Sequence, residues 1–111
     1  MEKNTRITMK QHTTPDQTAK LIELGFEKPK SIIDKYYDYD AEAYKEVNHY
    51  SIGELISFLP DDGVADRRLE FDGFYWYVDW DSFDKIHQTV GVELVDALYD
   101  MAVKLKEEGV I

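Results

Sequence analysis

Residues 67–80 read RRLEFDGFYWYVDW and predict a β-hairpin. Asp72-Gly73 lies between two runs of alternating apolar and polar residues, and both turn residues tolerate a positive φ. Successive side chains of a strand point to opposite faces, so the second strand should present one core-facing row and one outer row. The core-facing row contains Phe74, Trp76, Val78 and Trp80. The outer row contains Tyr75, Tyr77 and Asp79.

The C-terminal segment predicts a long amphipathic helix from about residue 92 to residue 108, before Gly109. Its apolar residues recur at helical spacing in one stripe, whose members are Leu94, Val95, Leu98, Met101, Ala102 and Leu105. Such a stripe needs a surface to pack against, and the aromatic face of the hairpin is the natural one. We therefore expect helix and hairpin to share one hydrophobic core.

Two shorter helices are predicted from the way they begin. Residues 14–17 read TPDQ and residues 51–54 read SIGE, and both patterns are typical of a capping box. In this motif the first side chain accepts a hydrogen bond from the backbone three residues on, and the fourth side chain reaches back. The first pattern predicts a helix over 15–24 and the second a helix over 52–58.

Together these elements predict an α+β fold. Its antiparallel sheet is built on the 67–80 hairpin and is packed by the long C-terminal helix and a short N-terminal helix. Residues 43–48 alternate weakly and indicate one more strand. Residues 1–14 are polar and predict a flexible N-terminal arm, with a weak edge strand as the alternative, which leaves residues 15–111 as a single α+β domain.

The chain has 111 residues, no cysteine and a formal net charge of −10. Without cysteine there are no disulfides, thiolate metal sites or cysteine nucleophiles. The negative field repels phosphates, so we expect neither direct nucleic-acid binding nor binding to anionic membranes, and a basic protein partner is favoured. No apolar run resembles a signal peptide or a membrane span, so we expect a cytoplasmic protein.

The sequence contains no pattern typical of a metal, cofactor or catalytic site. His12, His49 and His87 lie far apart, without the i, i+4 spacing of helical metal ligands. The carboxylate runs that begin at Asp38 and Asp79 lack the glycine and glutamate that a calcium loop needs at its sixth and twelfth positions. Phosphate loops and nucleophile elbows are also missing. We therefore expect no cofactor, no metal and no enzymatic activity.

In the middle of the chain, carboxylates are interleaved with five tyrosines, Tyr36, Tyr37, Tyr39, Tyr44 and Tyr50. The candidate partner surface consists of Tyr36, Tyr37, Asp38, Tyr39, Asp40, Glu42 and Tyr44. Tyrosine combines a large contact area with a polar tip at low entropic cost, and neighbouring acids would select a basic partner. The alternative interpretation is that the tyrosines cover a thin core while the acids face water. Exposed aromatic surface would also permit a homodimer.

Residues 17–26 read QTAKLIELGF, residues 50–60 read YSIGELISFLP, and residues 93–101 read ELVDALYDM. Together they resemble a group of small uncharacterised acidic proteins of gut-bacterial prophages and other mobile elements. That group has no assigned activity, so the resemblance implies an origin and no site. We expect a non-enzymatic accessory protein of a mobile element that binds another protein. Two alternatives stay open: an acidic nucleic-acid mimic that inhibits a host enzyme, and a small enzyme of unrecognised type.

Overall fold

The computed structural model describes residues 9–60, 66–82 and 85–111, with only the backbone at residues 66 and 82. Within these residues the chain forms three helices and five strands in two antiparallel sheets, which confirms the α+β fold. In chain order the elements are α1 (Pro15–Glu23), β1 (Ser31–Asp38), β2 (Ala43–His49), α2 (Ile52–Phe58), β3 (Asp66–Phe71), β4 (Trp76–Ser82), β5 (Lys85–Gly91) and α3 (Leu94–Glu107).

The two short helices begin as their caps predict. The Thr14 side chain accepts a hydrogen bond from the backbone N–H of Gln17, and the Gln17 side chain accepts one from the Thr14 N–H. Ser51 and Glu54 form the same reciprocal pair at the start of α2. Gly25 follows the end of α1 with a φ of +99°, a conformation that glycine adopts at little cost. The predictions over 15–24 and 52–58 are therefore confirmed.

The predicted hairpin forms, but its connection is longer than two residues. Phe71 pairs with Trp76, so four residues, 72–75, join β3 to β4. One Asp72 carboxylate oxygen accepts hydrogen bonds from the N–H groups of Phe74 and Tyr75, both at 2.8 Å. This Asx-type contact keeps Phe74 in the turn, where its side chain is 77 % exposed. The prediction that Phe74 belongs to the core was therefore wrong.

The remaining core-facing residues meet α3 as predicted. Val78 is fully buried and Trp80 is 5 % exposed, while Trp76 packs at the margin of the same cluster. All six apolar stripe residues of α3 are buried against β4, β5 and α2. The shared core of hairpin and C-terminal helix is confirmed.

Two strands escaped sequence-based prediction. β5 completes a three-stranded sheet in the order β3-β4-β5. β1 pairs with β2, where a strand was expected over residues 43–48, to form a separate two-stranded sheet with a bulge between Ile32 and Asp34. The sheet predicted around the 67–80 hairpin is present, but the prediction missed its third strand and the separate two-stranded sheet.

Residues 9–14 contact the domain. His12 forms an isolated β-bridge with Ser51, and Thr13 is only 3 % exposed. The Lys10 ammonium lies 2.6 Å from the Asp96 carboxylate on α3. The flexible arm was predicted over residues 1–14. Its first eight residues lie outside the described part of the chain, and for them flexibility stays a prediction. No helix among the described residues has the length and apolar composition needed to cross a membrane.

Candidate functional site

The candidate partner surface lies at the end of the β1–β2 pair. We call β1, β2 and the turn 39–42 between them the tyrosine hairpin. One Asp38 carboxylate oxygen accepts hydrogen bonds from the N–H groups of Asp40 (3.0 Å) and Ala41 (3.2 Å), which closes the turn. Glu42 completes the turn with a φ of +52°. Asp38 therefore shapes the hairpin and has one oxygen already engaged.

Three of the predicted tyrosines share one face of the hairpin. Tyr37 lies directly opposite Tyr44 in the strand register. The Tyr37 ring is 4.9 Å from that of Tyr39 and 5.2 Å from that of Tyr44, both in edge-to-face geometry. The Lys35 ammonium lies 5.6 Å from the centre of the Tyr44 ring. We call Tyr37, Tyr39 and Tyr44 the tyrosine cluster.

Tyr36 lies on the other face of the hairpin. It pairs with Lys45, whereas its chain neighbour Tyr37 pairs with Tyr44. Because adjacent strand residues point to opposite sides, Tyr36 cannot contact a partner together with the tyrosine cluster on one flat surface. The structure thus brings together three of the four predicted strand and turn tyrosines and separates the fourth.

The tyrosine cluster faces solvent. Exposure is 39 % for Tyr37, 68 % for Tyr44 and 84 % for Tyr39. None of the three belongs to the buried core or packs at its margin. Among the described elements, β1 and β2 contact each other extensively and no helix covers either face. The cluster therefore offers aromatic area that the described elements leave uncovered.

Charge on the hairpin is negative but mixed. Residues 31–49 contain five carboxylates and two lysines, a net charge of −3. Asp40 and Glu42 are exposed in the turn beside Tyr39. Lys35 and Lys45 lie on the strands, on opposite faces of the pair. The acidic character is thus concentrated at the tip, next to the most exposed ring.

Hydrogen bonds attach the base of the hairpin to α2. One Glu54 carboxylate oxygen accepts from the Ser31 hydroxyl at 2.6 Å, and the other accepts from the Lys30 N–H at 2.9 Å. Partial burial opposes ionisation of Glu54, but these bonds and those from Ser51 outweigh it and lower its pKa. Glu54 therefore serves both as a cap of α2 and as an anchor of β1.

A second anchor follows β2. Tyr50 was predicted as the last tyrosine of the run that contacts a partner, but it is fully buried and its hydroxyl donates a hydrogen bond to the Glu27 carbonyl. Burial, with a contribution from Glu54, raises the pKa of Tyr50 to about 12. His49 shares a hydrogen bond with the Thr18 hydroxyl of α1. Sequence reasoning did not predict these anchors, although one of the residues involved, Glu54, belongs to the predicted capping box at residues 51–54.

The three histidines lie in unrelated surroundings. His12 lies in the bridge to Ser51, and His49 contacts Thr18. His87 is 2 % exposed and lies 3.0 Å from the Glu108 carboxylate. In the described part of the chain no group of three or more histidines and carboxylates is placed to hold a metal ion. The acidic run that begins at Asp79 ends at residue 84, outside the described residues.

No protein-family model, curated protein or solved structure matches this chain. The resemblance to mobile-element proteins therefore stays an expectation.

Proposed function

We propose that this protein is a non-enzymatic accessory protein, acting in the cytoplasm, that binds a basic protein through the tip of the tyrosine hairpin. The supporting observation is the tyrosine cluster, three rings in mutual contact on one face, of which Tyr39 is 84 % exposed. An accessory role within a mobile element belongs to the same proposal and is supported only by the resemblance of the sequence.

Aromatic contact provides most of the expected binding energy. Tyrosine is enriched among the residues that dominate protein interfaces, because it buries much surface while losing little rotational freedom. Tyr37 contacts both Tyr39 and Tyr44, and these contacts favour one arrangement of the three rings before a partner arrives. Ordering in advance reduces the entropic cost of association.

Charge favours a basic partner. Asp40 and Glu42 flank Tyr39 at the tip, and the whole chain carries a net charge of −10. A field of this sign accelerates encounter with a cationic surface. The Tyr44 ring already accepts the Lys35 ammonium at 5.6 Å. An arginine or lysine of the partner would find the same kind of contact on the more exposed Tyr39 ring.

The acidic-mimic alternative has less support from the hairpin. Nucleic acid carries negative charge at regular intervals along its backbone, so regularly spaced carboxylates suit a mimic best and intervening cations weaken the likeness. Here Lys35 and Lys45 lie between the carboxylates of the strands, and one Asp38 oxygen is engaged by the turn. Aromatic recognition of a basic protein uses the same residues without this conflict.

The test compares three immobilised proteins: wild type, the double variant Tyr39→Ala with Tyr44→Ala, and Tyr75→Ala. Tyr75 is a matched control because it is also an exposed turn tyrosine, at 47 %, but lies between β3 and β4. Proteins captured from the source cells are quantified by mass spectrometry. A genuine partner is retained by wild type and by the control and is lost by the double variant.

The captured partner is then purified and titrated calorimetrically. Removing two interface tyrosines should weaken binding at least about 30-fold, equivalent to roughly 2 kcal/mol. Asp40→Asn with Glu42→Gln should mainly slow association and reduce its salt dependence. Equal binding by wild type and the double tyrosine variant would contradict the proposal.

A further inference from the structure

β3 forms one edge of the three-stranded sheet. It pairs with β4, and no other strand of the described chain lies on its opposite side. The Asp72 N–H donates to the Tyr75 carbonyl at 3.2 Å, and the β3–β4 register runs on without a bulge. Because ladder bonds alternate along an antiparallel pair, Leu69 and Phe71 direct their backbone N–H and C=O groups away from β4. This row of backbone groups is a template for another strand.

We propose that β3 pairs with β3 of a second copy, antiparallel about a twofold axis at Leu69. In this register Leu69 lies opposite Leu69 of the partner subunit. Arg68 lies opposite Glu70 of the partner subunit, and Arg67 lies opposite Phe71 of the partner subunit. Each outward-facing residue meets another outward-facing residue, so the ladder of hydrogen bonds continues across the axis. The product is a six-stranded sheet with both copies of α3 on the same side.

Charge complementarity selects this register. Centred on Leu69, it forms two Arg68–Glu70 pairs related by the axis, on the outer face of the sheet. Arg68 is exposed and lies 3.1 Å from Asp79 on that face, and Glu70 is exposed beside it. A register centred on Arg68 or on Glu70 would instead oppose like charges, which destabilises a strand pair.

Apolar surface on the inner face fits the same arrangement. Leu69 is 42 % exposed and Phe71 is 51 % exposed. Both lie on the face of the sheet that α3 covers at β4 and β5, but α3 does not extend over β3 in the same way. A groove of about 180 Å³, lined in part by Ile56, Leu59 and Leu69, opens beside the strand. A second copy would cover these side chains, and the dimer would present two tyrosine hairpins to a partner. Two linked binding sites raise the overall strength of association.

Cysteine cross-linking tests the register directly, because the chain contains no cysteine. Leu69→Cys should oxidise to a covalent dimer, since opposed residues of this type have Cα atoms about 5.5 Å apart, within reach of a disulfide. Phe71→Cys is the matched control on the same face of the same strand. In the proposed register its two copies are four residues apart along the strands, about 13 Å, and should not cross-link. Non-reducing electrophoresis and mass spectrometry distinguish the two outcomes.

Charge reversal supplies an independent measurement. Glu70→Arg and Arg68→Glu should each weaken self-association about tenfold or more in sedimentation equilibrium, because both ion pairs become repulsive. An equimolar mixture of the two variants should dimerise again, since each copy then supplies the charge that the other lacks. Thermal unfolding followed by circular dichroism checks that each variant folds. If Arg68→Glu fails to fold because Asp79 loses its partner, Glu70→Arg and the cysteine pair still decide.

Three results would overturn the proposal. The wild type could be a monomer at every concentration, which would show that the edge of β3 does not pair with a second copy. Leu69→Cys and Phe71→Cys could cross-link equally, which would indicate random collision. Glu70→Arg could associate as strongly as wild type, which would place the contact elsewhere.

Discussion

The two sheets of this protein have strands of similar length but very different surroundings. β1 and β2 contain eight and seven residues, and β4 and β5 contain seven each. α3 covers one face of the β4–β5 pair, whereas no described helix covers the tyrosine hairpin. Burial under a helix stabilises the first sheet, whereas no described element stabilises the second in this way.

The tyrosine hairpin is therefore held by weaker interactions. A two-stranded hairpin alone is marginally stable in water. Cross-strand pairs such as Tyr37 with Tyr44 contribute roughly 0.2–1 kcal/mol each. Its base is attached through Glu54 and Tyr50, which lie at and just before the start of α2. The contrast between the two sheets can be measured one residue at a time.

The largest effect is expected in the core beneath the three-stranded sheet. Leu98 is fully buried on α3, and Leu98→Ala should lower the free energy of unfolding by about 3 kcal/mol, from lost burial and the cavity it leaves. Ile86→Ala is the control: this side chain on β5 is 81 % exposed, and the loss should stay below about 0.5 kcal/mol. Urea denaturation measures both. Equal losses would contradict the placement of the core.

The next effect is expected at the base of the tyrosine hairpin. Glu54→Gln removes charge from the hydrogen bonds to Ser31, Lys30 and Ser51 and should cost about 1 kcal/mol at neutral pH. The pKa of Glu54 is lowered in the folded state, so its contribution is present above the ordinary value of 4.5. It is lost as pH falls through the lower folded value.

Amide hydrogen exchange sharpens this test. Glu54→Gln should accelerate exchange in β1 and β2 more than in β4 and β5, because the hydrogen bonds of Glu54 reach the base of the hairpin and the start of α2. Glu46→Gln, on the exposed part of β2, is the control and should leave both sheets unchanged. Uniform acceleration throughout the chain would mean that the hairpin and the core unfold together.

A smaller, pH-dependent effect is expected where α3 meets β5. Hydrogen bonds from Lys85 and His87 hold the pKa of Glu108 at about 2. Because the folded pKa is depressed, the stabilisation is present above pH 4.5, the ordinary value, and disappears as pH falls toward 2. Glu108→Gln should therefore be less stable than wild type at neutral pH and equal to it near pH 2. Urea midpoints across this range test the prediction, with Glu107→Gln as control.

The smallest effect on stability is expected at the tip. Tyr39 is 84 % exposed, so Tyr39→Ala should change the free energy of unfolding by less than about 0.5 kcal/mol. Tyr50→Ala, at the buried base of the same hairpin, should cost about 3 kcal/mol. Thermal and urea unfolding of the two variants compare one exposed and one buried tyrosine. A large loss for Tyr39→Ala would mean that the tip supports the fold and is not a free surface.

Sequence reasoning succeeded where the signal was local or strongly periodic. It failed for β5 because the buried positions of this strand include polar residues. His87 is buried because its ring lies within hydrogen-bond distance of the Trp80 carbonyl and Glu108, and the Thr89 hydroxyl donates to the Ala97 carbonyl. β1 was missed because two pairs of sequence neighbours, Ile32-Ile33 and Tyr36-Tyr37, interrupt the alternation of apolar and polar residues that predicts a strand.

The candidate surface shows the same division. The sequence predicted its residue types and its acidic charge, but not which of its side chains lie on the same face of the hairpin. Which tyrosines meet depends on the pairing of Tyr37 with Tyr44, and a shift of one residue would have exchanged Tyr36 for Tyr37. The role of Asp38 in closing the turn depends on the same register.

The sequence by itself determined the caps of α1 and α2, the apolar stripe of α3 and the hairpin around Gly73, because these depend on residues a few positions apart. The tertiary structure alone decided the register of β1 with β2, the burial of His87 and the exposure of Phe74 and the tyrosine cluster. These depend on strand pairing and on what covers each face, and the free energy of such contacts comes from residues distant in the chain.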